Sequence, residues 1–386
     1  MRKTAAAVFA TVIIGLFLAC LFSPAAVLSE EEEKPAISSA GKGLLYPQLL
    51  WSRKLPGEIS GVDMAEETGA VVVSNNSRVY YIEDGPDAEW TAGDDRKWKF
   101  TNDLAISKDG TRVAFQSDDK KKKTTEKLEL TIHYYDGEGN RLWEKPNPYR
   151  YENMMLSPTG KYILIGEMMH QGTKVYDYNL NKLWEKEMQF WYLAFDPTER
   201  YIFDGEGGIL YSLDGEQVWD FGRYTRILSV SEDAEYVMTA FYRQIKGNDK
   251  MFLMARKQLK KIVIHGSGGC VSPDGTYTAY VNSDGKLVVY RTKELLTAGS
   301  DDLPPLYKDD MERPWAMNIS RDNRSLFVLG RLNQLSSIMM LVDLTKMKTA
   351  WKKTAPDDLR VAHTTSDNRY IVVKFGKDII KKYKAY

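Results

Sequence analysis

Cysteine is nearly absent. The 386-residue chain has two, Cys20 and Cys270, and the first lies in an apolar leader. A disulfide framework is excluded, and so is a zinc site built from two cysteine pairs. An excess of either charge is also missing, because Lys plus Arg and Asp plus Glu each number 53. Nucleic-acid binders normally carry a basic excess, so no nucleic-acid partner is expected. Histidine is sparse: His133, His170, His265 and His363 are scattered, with no HExxH-type spacing. No Gly-x-Ser-x-Gly elbow is present. These patterns assign no catalytic residue and no metal ligand.

The N-terminus opens with Arg2 and Lys3, runs apolar from Ala5 to Phe22, passes Ser23-Pro24-Ala25-Ala26 and meets Glu30 to Glu33. That is the layout of a secretory leader. Continued to Leu28, the apolar run reaches 24 residues, enough to span a bilayer. Residues 1–29 therefore read as a signal peptide or as a retained membrane anchor with Arg2 and Lys3 on the cytoplasmic side. Acylation at Cys20, behind Phe17-Leu18-Ala19, is a third reading on a loose match to the bacterial lipoprotein box. All three export the body to a periplasmic or extracytoplasmic space. Residues 30–43 are polar and read as a linker, and residues 44–386 form the folded body.

Aromatics, by contrast, are plentiful, with nine Trp and 23 Tyr, and they suit pleated, half-buried strands. They also recur. Trp51, Trp98, Trp143, Trp184, Trp219, Val263, Tyr307 and Trp351 follow one another at intervals of 47, 45, 41, 35, 44, 44 and 44. A second marker keeps step with the first: a turn of the Ser-x-Asp-Gly kind starts at Glu66, Ser107, Ser157, Asp196, Ser231, Ser272, Ser320 and Thr365. Gly, Asn and Asp suit such turns through positive φ or a local side-chain bond. Four short strands per copy, at a period in the low forties, are the mark of propeller blades.

The predicted fold is therefore all-β, an eight-bladed propeller of four-stranded antiparallel blades. The last copy offers three strands, near Val361 to Thr364, Tyr370 to Phe375 and Asp378 to Tyr383, while Leu44 to Trp51 offers one spare strand. Pairing them completes the eighth blade and removes exposed sheet edges. The Val263 copy lacks its aromatic, which makes seven blades the alternative. Ser117 to Lys127, Arg243 to Lys250 and Leu295 to Leu306 read as solvated loops. The run His265-Gly266-Ser267-Gly268-Gly269 precedes a strand rather than a helix, so it reads as a tight crossing between blades and not as a phosphate cradle.

The segments Tyr135 to Trp143, Tyr178 to Trp184 and Tyr211 to Trp219 carry an aspartate or asparagine, a turn and a terminal Trp. They resemble the repeat of quinoprotein-type (PQQ-like) propellers, a superfamily that is WD40-like in architecture. The Ser-x-Asp-Gly turns also resemble those of the periplasmic propellers of the Tol system. Some quinoprotein relatives are pyrroloquinoline-quinone dehydrogenases with calcium in the channel; others, such as the outer-membrane assembly lipoproteins, are scaffolds without a cofactor. The adjacent cysteine pair of the dehydrogenases has no counterpart here. The resemblance implies a scaffold without a cofactor, acting on a protein partner in the cell envelope. A PQQ- or metal-dependent oxidoreductase is the alternative.

Aligning the copies on the turn places Gly61, Asn102, Glu152, Trp191, Arg226, Ser267, Trp315 and Arg360 five residues ahead of it. In a closed ring these residues surround one mouth of the channel. Aromatics with arginines are enriched at binding hot spots, so Asn102, Glu152, Trp191, Arg226, Trp315 and Arg360 form the candidate rim for a partner or other extended ligand. Two residues ahead of the turn stand Met64, Ala105, Met155, Ala194, Ser229, Cys270, Asn318 and His363, mostly small or flexible side chains suited to a crowded axis. Cys270 is expected to be buried and inert.

Overall fold

The computed structural model describes residues 47–385, apart from residues 76, 84, 94–97, 120–129, 148–151, 168–171, 189–192, 197, 205–206, 223–224, 242–249, 301, 334–335 and 357–358. The leader, the linker and Cys20 lie outside the described residues, as do Trp191 and the tips of the loops at 120–129 and 242–249.

The strands group into eight four-stranded antiparallel blades. Blade one holds β2 (Ile59–Met64), β3 (Val71–Asn75), β4 (Arg78–Ile82) and β5 (Trp90–Gly93). Blade two holds β6 (Trp98–Ile106), β7 (Arg112–Asp119), β8 (Leu130–Asp136) and β9 (Arg141–Asn147). Blade three runs from β10 (Glu152–Leu156) through β11 (Tyr162–Glu167) and β12 (Gly172–Asp177) to β13 (Lys182–Glu187). Blade four runs from β14 (Leu193–Phe195) through β15 (Tyr201–Asp204) and β16 (Ile209–Ser212) to β17 (Gln217–Asp220).

Blades five and six share one strand. After β18 (Thr225–Val230), β19 (Tyr236–Phe241) and β20 (Lys250–Ala255), strand β21 (Lys260–Val271) is the outer edge of blade five and then the inner strand of blade six. Blade six continues with β22 (Tyr277–Asn282), β23 (Lys286–Arg291) and β24 (Tyr307–Asp310). The glycine run makes this uninterrupted crossing possible. A Cβ at Gly266 would strike the Val281 carbonyl, and one at Gly269 would meet the Ala279 carbonyl at 2.8 Å. The expected tight crossing is what the structure shows.

Blade seven holds β25 (Arg313–Ile319), β26 (Ser325–Asn333), β27 (Ser336–Asp343) and β28 (Lys348–Pro356). Blade eight holds β29 (Leu359–Thr364), β30 (Tyr370–Phe375), β31 (Ile379–Lys384) and, as its outer strand, β1 (Gln48–Lys54). β1 pairs antiparallel with β31, Ser52 opposite Lys381. The spare N-terminal strand thus closes the ring, and the count is eight.

The core lies between blades rather than within any one of them. Among the described residues eight buried apolar clusters occur, and each joins two neighbouring blades. Middle strands are therefore apolar on both faces: all five residues of β3 are buried, and seven of the eight in β27. Outer strands alternate, as β13 does, because one of their faces meets water.

Two expectations need correction. Trp98 does not close an outer strand; it opens the inner strand β6, and Trp90 on β5 holds the outer position in blade one. Leu295 to Leu306 is not wholly a solvated loop. It begins inside a short helix, α1 (Thr292–Ala298), whose Leu295 and Leu296 are buried against blades five and six. Two adjacent leucines with apolar area to bury override a loop-like composition.

The outer tryptophans act as rivets. Trp90 Nε1 donates to Gly137 O at 2.9 Å, Trp143 Nε1 to Tyr178 O at 2.9 Å and Trp184 Nε1 to Leu213 O at 2.6 Å. Each bond runs from one blade to the hairpin turn of the next. In blades two, three and four the residue before the Trp is left out of the ladder. That bulge exposes Leu142, Leu183 and Val218 to between 45% and 46%, and it accompanies the inward turn of the Trp ring.

Candidate functional site

All the Ser-x-Asp-Gly turns lie at one end of the channel, and contacts between them run around the whole ring. Glu67 N donates to Lys108 O at 2.8 Å and Lys108 N to Pro158 O at 2.5 Å. Thr159 Oγ1 donates to Glu199 Oε2 at 2.7 Å, and Arg200 Nη2 to Glu232 O at 2.8 Å. Glu232 N donates to Pro273 O at 2.7 Å, and Asn323 Nδ2 to Asp274 Oδ2 at 2.6 Å. Arg321 N donates to Ser366 O at 2.8 Å, and Arg369 Nη2 to Glu67 O at 3.2 Å. Every blade is thereby tied to the next. One further bond skips a blade: Arg321 Nε lies 2.9 Å from Glu232 Oε1, joining blades seven and five across Pro273 of blade six.

Inner-strand side chains add a second set of ties at the axis. Asp63 Oδ2 accepts from Ile106 N at 3.0 Å, and Ser229 Oγ accepts from Val271 N at 3.1 Å. Ile106 and Val271 occupy the same place, just before the turn, so two blades use the same device. Asn318 Nδ2 donates to Asn368 Oδ1 at 2.7 Å across the seam between blades seven and eight. Across the closing seam between blades eight and one, His363 Nδ1 stands 3.5 Å from Asp63 Oδ1. Burial pushes the Asp63 carboxyl above the usual carboxylate range, while the His363 charge and the N–H groups of Ile106 and Met64 pull the other way.

These groups enclose a space on the axis. It consists of two adjoining cavities of about 290 and 300 Å³ that share Glu66, Lys108, Ala194 and Phe195. Residues of all eight blades line it. The side formed by blades three to five is mostly apolar, with Met155, Pro158, Ala194, Phe195, Ile227 and Val230, and carries Glu232 on blade five. The side formed by blades seven, eight, one and two is polar, with Asn318, Thr364, Ser366, Asp63, Glu66 and Lys108. Lys108 Nζ pairs with Glu66 Oε2 at 3.1 Å. Met64, Met155, Ala194, Ser229 and Asn318 from the set two residues ahead of the turn do line this space or its wall. Cys270 instead packs between blades six and seven, where burial raises its thiol to about 12.

The candidate rim is at the other end of the inner strands. Five of the eight inner strands break register there, four to six residues ahead of the turn, while the break in blade five falls at Leu228, which lines the cavity at the turn end. Trp315 is left out of the ladder between Pro314 and Ala316, and Arg360 between Leu359 and Val361. Asn102 falls in the stretch 101–103 that is skipped between Phe100 and Leu104. Glu152 and Arg226 keep regular register, opposite Glu167 and Ala240. Trp315 is half-buried against the cluster joining blades seven and eight, with the Arg331 guanidinium 6.0 Å from its ring centre.

Ser117 Oγ lies 2.8 Å from His133 Nε2, and Glu144 Oε2 lies 3.7 Å from His133 Nδ1. The order resembles a Ser-His-acid triad, but Ser117 and His133 are 3% and 2% exposed. A reacting carbonyl could not reach the hydroxyl. Burial, with the Arg141 charge adding to it, lowers the imidazole to about 4, so it stays neutral inside blade two. Among the described residues no three His, Cys, Asp or Glu side chains converge as metal ligands.

The cavity-lining charges Asp63, Glu66, Lys108 and Glu232 were not singled out by sequence. Part of their signal lay in the second position of the turn, which reads Glu67, Lys108, Pro158, Pro197, Glu232, Pro273, Arg321 and Ser366.

No family model matches the chain, and no curated protein matches it. Solved structures do. The C-terminal WD40 domain of Sif2 is similar over 89% of this chain and 99% of its own, with 11% identity and a TM-score of 0.62. The Dos1 propeller is similar over 88% and 95%, with 10% identity and a TM-score of 0.58. A eukaryotic initiation factor is similar over 83% and 82%, with 10% identity and a TM-score of 0.56. At such low identity the likeness establishes the fold, a β-propeller.

Proposed function

We propose that this propeller is an exported, non-enzymatic binding scaffold that holds a protein segment in the cell envelope. The segment seats at the rim of Asn102, Glu152, Trp191, Arg226, Trp315 and Arg360. The observation that carries the reading is the gathering of bulges at that end of the inner strands. Bulges re-aim side chains and end pairing next to sites, and here they coincide with the positions of Trp315, Arg360 and Asn102. A rigid ring that presents irregular backbone at one mouth is suited to binding rather than to bond-breaking chemistry. Export rests on the leader. Retention of the leader or acylation of Cys20 would add membrane attachment. The finer likeness to the quinoprotein repeat rests on the docked tryptophans, which here tie blades one, two and three to the hairpin turn of the next.

A photo-crosslinking residue at position 360 tests this in the envelope fraction, with one at Leu259, 80% exposed and away from the rim, as the control. The expected result is a discrete protein adduct at position 360 only, reduced at least several-fold by Trp191→Ala and by Trp315→Leu. Equal labelling at the two positions overturns the reading. So does a rise in melting temperature on adding calcium and pyrroloquinoline quinone, which would favour the oxidoreductase.

A further inference from the structure

The reading above uses one mouth of the channel and leaves the cavity at the turn end unassigned. We propose that this cavity binds an alkylammonium group, the side chain of a lysine presented by a peptide. Its carbon stem lies against Met155, Phe195 and Ile227 and its ammonium faces Asp63, Glu66 and Glu232.

The division of the walls selects the ligand. One half is aliphatic and aromatic, around Phe195, Ile227 and Met155. The other carries Asp63 and Glu66 against one lining cation, Lys108, and Glu232 of blade five adds a third carboxylate, paired with Arg321 of blade seven. An anion would meet like charge. A wholly apolar ligand would strip water from carboxylates without replacing it, which is costly. A long stem ending in a positive charge satisfies both halves, because such side chains lay their methylenes on apolar surface and keep the head in a polar setting.

The charge is also unevenly compensated. Glu66 has Lys108 at 3.1 Å and Glu232 has Arg321 at 2.9 Å. Among the described residues Asp63 has only backbone N–H groups and a histidine nitrogen at 3.5 Å, beyond a good hydrogen bond. The polar half therefore has room for one more cation. The carboxylates stand on separate blades rather than as one planar pair, which suits the rotatable donors of an ammonium better than the fixed fork of a guanidinium.

Isothermal titration of the folded chain with acetyl-Ala-Lys-Ala-amide, its norleucine counterpart and free pentylamine tests the assignment. The lysine peptide should bind at least tenfold more tightly than the norleucine peptide. Glu232→Gln and Asp63→Asn should each narrow that ratio, whereas Phe195→Leu should weaken both peptides alike. Glu232 is 30% exposed and lies away from the seam of blades eight and one, so its variant keeps the test valid if Asp63→Asn opens that seam. Pentylamine binding as tightly as the peptide would identify a free amine as the source, and weaker binding a lysine side chain; both uphold the alkylammonium site. Equal affinity for lysine and norleucine, or no heat from either up to roughly 1 mM, overturns it.

Discussion

Asn368 shows how much one turn residue can hold. It replaces the glycine of the Ser-x-Asp-Gly turn and takes the same left-handed backbone, φ 57°. Its side chain is fully buried. Nδ2 donates to Asn318 O at 3.2 Å and to Ser325 Oγ at 3.1 Å, while Oδ1 accepts from Asn318 Nδ2 at 2.7 Å. Glycine would fit the backbone better, yet it would leave buried groups of blade seven unpaired. Asn368→Gly should therefore lower stability by about 1–3 kcal/mol, read from urea unfolding at neutral pH. The equivalent turn of blade two already has glycine, Gly110, at φ 77°. There the ordinary preference for glycine is expressed because no side-chain hub is needed.

At the scale of elements, the seam between β1 and β31 decides whether the ring is closed. Ser52 and Lys381 are direct partners across it. A disulfide between Ser52→Cys and Lys381→Cys would close a loop of most of the chain, and Cys270 is too buried to compete. The oxidised form should gain about 2–4 kcal/mol over the reduced form, seen as a higher melting temperature that dithiothreitol reverses. This seam was legible in the sequence because a spare strand and a blade short of one strand are both local patterns. The turns were legible for the same reason. Trp98 was misplaced because Trp90 and Trp98 are both possible strand residues eight positions apart, and the ladder between β4 and β5 chose the first. The rim bulges and the charges lining the cavity were not legible. A bulge is a property of the pairing between two strands, and the meeting of Asp63 with Ile106 and His363 depends on which blades become neighbours across the seam.

For the whole molecule, stability is spread over eight similar interfaces, and the carboxylates that lock the turns are equally distributed. At Asp109, Asp233 and Asp274 partial burial pulls the carboxyl upward, but hydrogen bonds from the turn hydroxyls and backbone N–H groups outweigh it and hold each below the usual range. The hairpin carboxylates Asp136, Asp177 and Asp343 follow the same pattern. A folded-state value below the unfolded one means that the unfolded chain binds more protons in the acid range. The contribution is then complete above about pH 4, near the unfolded aspartate value, and is lost as pH falls through the lower folded values. Asp63 runs the opposite way, since its raised folded value makes ionisation weaken the fold as pH rises through its window, but it is one group against eight, because Glu185 and Asp309 are lowered as well. Urea unfolding at pH 7, 4 and 3 should therefore show little change between the first two and a marked loss at the third, with all blades unfolding together. Asp274→Asn should be less stable than the parent at pH 7 and should lose less on further acidification. An equal acid loss in parent and variant would place the lability elsewhere than in the turns.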